Sequence, residues 1–165
     1  MMPLLRAASM LALMALGACS AERHALDRHL AQLRPDTVAA LPDMGWPPGT
    51  LLCPLALYQS ELPGSAPSAD RVNAFLKQKQ FLGDENWSLI IVKPQPAENA
   101  GAGIAHLFFK RAEYDVINES QRLARDAQTL PAGFVPQVCV SVEQARVLVT
   151  REQRSHRKLV IFGTV

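Results

Sequence analysis

Apolar positions change their spacing several times along the chain, and each change marks an expected element. Leu26, Leu30 and Leu33 recur at helical intervals within residues 22–34, and Pro35 stops that run. Residues 35–67 hold ten Pro and Gly, a density that argues against long regular elements. A short strand is expected at 50–58. Residues 69–81 predict a helix capped by Ser68, with Val72, Phe75 and Leu76 turned inward. The stretch from Trp87 to Lys93 reads as a buried strand closed by Pro94. A loop with two Pro and two Gly fills 94–103, and another strand follows at 104–110. Val116, Ile117, Leu123, Ala124 and Ala127 stand at helical spacing and predict a helix over 113–128. Near 135–142, Val138, Val140 and Val142 alternate with Cys139 and Ser141, as in a half-buried strand. Two further strands are expected near 145–151 and 157–163.

The resulting order is β-α-β-β-α-β with an added C-terminal β-hairpin. This predicts an α+β fold: an antiparallel sheet with two helices in split-βαβ, ferredoxin-like order. That order makes the first and fourth strands neighbours, which would bring Cys53 close to Cys139. Two features pull against it. Pro54 falls in what should be a central strand, where a missing N–H is disfavoured. Cys139 lies on the more polar face of its strand, whereas Cys53 shares a face with Leu51, Leu55 and Leu57. Residues 50–165 are read as one α+β domain, and 19–49 as a short helix and a Pro-rich tether that wraps it.

The start of the chain has a different character. After Arg6 comes an apolar run, Ala7 to Leu16. As a helix it would reach roughly 15 Å, about half a bilayer core, too short to span. A basic residue, a short apolar stretch and then small residues form the pattern of a secretory signal. Leu16-Gly17-Ala18-Cys19 resembles the lipobox of bacterial lipoproteins. The resemblance covers only the leader. It implies cleavage after Ala18, leaving 1–18 as a signal peptide, and attachment of lipid to the Cys19 thiol. Ser20 stands where, in this class, Asp would favour inner-membrane retention, so the resemblance implies a bacterial outer membrane and a body facing the periplasm. One acyl chain anchors only marginally, and lipoproteins of this kind carry two or three.

Composition narrows the classes further. Of 165 residues, 48% are hydrophobic and 19% charged, ordinary globular usage that excludes a mostly disordered chain. A net charge of +2 gives no reason to expect nucleic-acid binding. With Cys19 set aside, Cys53 and Cys139 remain, 86 residues apart. An even pair in an exported chain suggests a disulfide, and the competing reading is two buried free thiols. Neither redox spacing nor metal-ligand spacing is present, so no metal or cofactor is expected.

No catalytic motif stands out. Gly101-Ala102-Gly103 starts like a dinucleotide fingerprint but lacks the third Gly and precedes a strand. His24 and His29 are five residues apart, roughly 140° around a helix, and do not share a metal-binding face. His106, in an otherwise apolar strand, is the one candidate general base, with Asp115, Glu113 or Asp84 as orienting carboxylates; a hydrogen-bonded structural His is the simpler reading.

Two surfaces could bind. Arg146, Arg151, Arg154, Arg157 and Lys158, set against Glu143 and Glu152, form a candidate basic patch for anionic head groups or an acidic partner; the alternative is a solvated turn. Trp46, beside Pro47-Pro48, is a candidate partner anchor or else a lid on the core edge. The leading expectation is therefore a non-catalytic, lipid-anchored envelope lipoprotein acting as a binding or adaptor module. Its partners would be the membrane and an envelope protein. The alternatives are an inhibitor or immunity lipoprotein that neutralises a periplasmic toxin or cell-wall hydrolase, and a small hydrolase using His106.

Overall fold

The computed structural model describes residues 23–94, 103–110, 113–118, 130–152 and 155–165. The first element is helix α1, Ala25–Gln32. Leu26 and Leu30, one turn apart, are fully buried on its inner face. His24 caps it, its Nδ1 accepting the Leu26 N–H at 3.2 Å. At the other end Lys158 Nζ donates to the carbonyls of Ala31 and Leu33, placing a cation where the last orphan carbonyls need one. Helix α2, Pro67–Gln78, opens on Pro67, whose fixed φ suits the first helical turn. Ser68 therefore lies inside the helix, and the expected cap is replaced by Ala66, which makes no side-chain cap bond.

The strands are β1 (Thr37–Ala40), β2 (Leu51–Leu55), β3 (Trp87–Val92), β4 (Ile104–Phe109), β5 (Tyr114–Ile117), β6 (Val135–Pro136), β7 (Val140–Ser141), β8 (Arg146–Arg151) and β9 (Lys158–Thr164). They form two sheets. One runs β4-β3-β2-β7, antiparallel throughout. The other runs β1-β8-β9-β5, with β6 pairing the end of β9 beyond β5. In it β5 and β9 are parallel, and β8 and β9 are antiparallel neighbours.

The sheets share one core. Leu52, Trp87, Leu89 and Ile91 from the first meet Val116, Val147, Val149, Val160 and Phe162 from the second, and Leu26 and Leu30 of α1 fill the same cluster. On the reverse of the first sheet, Cys53, Leu55, Ile90 and Val92 pack against Ala69, Val72 and Leu76 of α2. With both faces covered, all six residues of β3 are buried, which explains why five of them are apolar, without alternation, and why the sixth, Ser88, needs a hydrogen-bond partner.

Several expectations are corrected. The architecture is α+β, but the split-βαβ order is absent: β2 and β3, which flank α2, pair directly and antiparallel, and the strands fall into two sheets. Helix 113–128 begins instead as strand β5, and its residues 119–128 lie outside the described residues. Val116 and Ile117 face opposite sides and are buried in different clusters, because pairing with β9 overrides a locally helical spacing. The single strand near 135–142 is two two-residue strands, β6 and β7, each in a different sheet. Residues 25–40, expected as part of a tether, supply α1 and an edge strand to the folded body.

Pro54 fits because of where its ladder partners lie. β7 reaches only Leu51 and Leu52, and the Pro54 carbonyl, turned away from β3, accepts from Asn118 Nδ2. The proline nitrogen faces the same side, so its missing N–H removes no ladder bond. Gly163 has the opposite problem of space. A Cβ there would collide with the Val135 carbonyl, so only glycine lets β6 close on β9.

Candidate functional site

The end of the first sheet where β3 begins and β4 finishes is the candidate site. Three large apolar side chains stand in solvent there: Tyr58 at 71% exposure, Leu82 at 88% and Phe108 at 54%. Their positions are set by backbone. Tyr58 adopts φ of 59°, and its N–H donates to the Asp84 carbonyl at 2.7 Å, tying the 56–59 turn to the 81–86 loop. Gly83, with φ of 93°, allows that approach, since a Cβ there would meet the Tyr58 carbonyl at 2.7 Å. Leu82 lies between this contact and Phe81, whose ring is 6.0 Å from Phe108. An open cavity of about 400 Å³, lined by Tyr58, Glu85, Asn86 and Lys110, adjoins the ledge.

His106 is the root of this ledge. Its ring stacks on Phe108 at 4.1 Å and meets the edge of Phe81 at 4.9 Å. Nε2 is hydrogen-bonded to Ser88 Oγ at 2.8 Å, across the β3–β4 ladder. The imidazole pKa is pushed down from 6.5 to about 4, first by burial and then by the Lys79 charge, with Asp84 opposing. The ring is therefore neutral at pH 7.

A hydrogen-bonded Ser–His pair invites comparison with a nucleophile and its base. Here Ser88 is 1% exposed, so its Oγ has no room for the approach of a substrate carbon to about 3 Å. The carboxylates expected to orient His106 are engaged elsewhere. Asp84 Oδ1 accepts from the N–H and side-chain amide of Asn86, Asp115 binds Arg157 in the other sheet, and Glu113 is exposed ahead of β5. The pair instead satisfies two polar groups under an aromatic cover. Among the described residues no group of three His, Cys, Asp or Glu is placed to hold a metal ion.

The other residues singled out from sequence are dispersed. Cys19 and Arg154 lie outside the described residues. Cys53 and Cys139 form a disulfide, with Cα atoms 4.2 Å apart. Arg157 grips Asp115 with Nε at 2.8 Å and Nη2 at 3.1 Å, and this hydrogen-bonded carboxylate raises the guanidinium pKa further. Lys158 caps α1, Arg151 donates to the His156 carbonyl and Arg146 to that of Ala145. Arg146 and Arg151 stand at opposite ends of β8, about 17 Å apart at strand rise. Among the described residues of this set, Arg151 pairs across the ladder with Lys158, while Arg157 and Lys158 are each engaged in an internal contact. Trp46 is half-buried and packs against the main core.

Sequence reasoning missed the ledge and a buried polar link beside it. Tyr114 donates to Asp27 at 2.6 Å, Asp27 also binds Arg23, and burial raises the phenol pKa well above its usual range. Alternation in β4 could have flagged Phe108 on the face of His106, but the turns that bring Tyr58 and Leu82 beside it leave no periodic trace. Comparison with protein-family models, curated proteins and solved structures gives no match.

Proposed function

We propose that this chain is a lipid-anchored module of the bacterial outer membrane, facing the periplasm, and that it binds rather than catalyses. The binding role rests on one observation: Tyr58, Leu82 and Phe108 are each exposed at one end of the first sheet, with the Phe108 ring stacked on His106. Leaving three such side chains in water forgoes burial worth about 1.5–3 kcal/mol for each one fully buried, so a contact surface is the economical explanation. The anchor rests on Leu16-Gly17-Ala18-Cys19. A disulfide between Cys53 and Cys139 suits an oxidising compartment.

The test is fractionation of expressing cells. Wild-type protein partitions with envelope membranes and takes up labelled palmitate; Cys19→Ala does neither. Equal labelling of the variant would defeat the anchoring.

A further inference from the structure

The ledge lies at the end of the molecule from which the anchor must leave. His24, at the start of α1, packs its ring edge-on against Phe109 at 5.4 Å. Phe109 is flanked by Phe108 of the ledge and by Lys110 of the adjoining cavity. Only five peptide units separate Cys19 from His24. However they run, they span at most about 17 Å. A lipidated Cys19 therefore holds this end of the first sheet close to the bilayer surface, whose polar interfacial zone is itself about 5–8 Å deep on each side.

We infer that the ledge of Tyr58, Leu82 and Phe108 is a membrane-contact surface, seated in the lipid interface and fixing the orientation of the body on the outer membrane. The inference rests on the anchoring proposed above and names the ligand of the same site. The chemistry fits an interface rather than a charged surface. An amphipathic Tyr and two apolar side chains project where the surrounding charges are mixed: Lys79 and Lys110 against Asp84 and Glu85. Seating is therefore driven by apolar burial and should change little with salt. It also sets the far end of the sheet, around Thr50 and Gln144, toward the periplasm, free for a protein partner.

Depth-dependent quenching tests this. Mature lipidated protein carrying Leu82→Trp, Phe108→Trp or Gln144→Trp is reconstituted on phosphatidylethanolamine–phosphatidylglycerol vesicles with or without acyl-brominated phosphatidylcholine. Leu82 is so exposed that its replacement leaves the fold intact even if the Phe108 variant does not. Trp87 is fully buried and Trp46 half-buried against the core, and their emission is subtracted with wild-type protein on the same vesicles. The added emission at 82 and 108 is expected to fall by about half or more on brominated vesicles, and that at 144 to stay unchanged. Protein that floats with the vesicles but shows equal emission at all three positions would overturn the orientation and leave the ledge to a protein partner. Stronger quenching at 144 would overturn it too. Mature wild-type protein that fails to float would instead overturn the anchoring itself.

Discussion

Replacing His106 by Gln should remove a specific part of the acid sensitivity of the fold. In the folded chain the ring takes up a proton only near pH 4, whereas in the unfolded chain it does so near 6.5. Above pH 6.5 both states are neutral and His106 adds no pH dependence. As pH falls from 6.5 toward 4, the unfolded state binds the extra proton, so stability declines through that window and levels off below it. The gap between the two values corresponds to about 3 kcal/mol in full. The ring is only half-buried, and water screens part of the Lys79 contribution, so about 1–2 kcal/mol is the expected loss. Gln keeps a hydrogen-bonding group within reach of Ser88 and does not titrate. Urea unfolding of both proteins at pH 7, 6, 5 and 4 should show their stability difference shifting by that amount in favour of Gln as pH falls. Other titrating groups cancel in the comparison. A constant difference from pH 7 to 4 would refute a half-buried histidine held neutral by its surroundings.

Further outcomes follow from the packing. Cys53→Ala with Cys139→Ala opens a loop of 86 residues and should cost up to about 4–5 kcal/mol in the chain-entropy account, read as a lowered urea midpoint that reductant no longer shifts. Gly163→Ala forces β6 off β9 and should destabilise by about 1–3 kcal/mol; an unchanged melting temperature would deny the close approach of Val135. Asp115→Asn takes the carboxylate from the Arg157 fork and should cost about 1–3 kcal/mol at neutral pH, measured by chemical denaturation.

The parts of the fold that can be read from sequence are those whose pattern is local. Trp87 to Val92 is apolar but for Ser88 and bounded by Pro94, and β8 and β9 are rich in β-branched residues. The interval between Leu26 and Leu30 marks α1 wherever it packs. β5 is different: Tyr114 to Ile117 becomes a strand only because β9 lies parallel beside it, a partner more than forty residues away. The division into two sheets is equally non-local, since β6 and β7 are too short to carry a period and join opposite sheets across Val138 and Cys139. Thr37 to Ala40 is hidden by the prolines around it and needs the edge of β8 to form β1.

The candidate site was less legible than the fold. Cys19, Cys53 and Cys139 stand out by parity and context, which are properties of a list of residues. The basic residues near the C terminus look like one patch in one dimension. In three dimensions Arg157 turns inward to Asp115 and Lys158 reaches the end of α1. The ledge depends on left-handed backbone at Tyr58 and Gln80, residue types that give no warning of it.

The account depends most on the chemistry of one thiol. Mass spectrometry of the amino-terminal peptide from the envelope-purified protein measures it directly. A chain beginning at Cys19 with two or three acyl chains is the predicted result. An intact leader, or an unacylated start at another residue, would contradict the anchoring and remove the reason for placing the ledge against lipid.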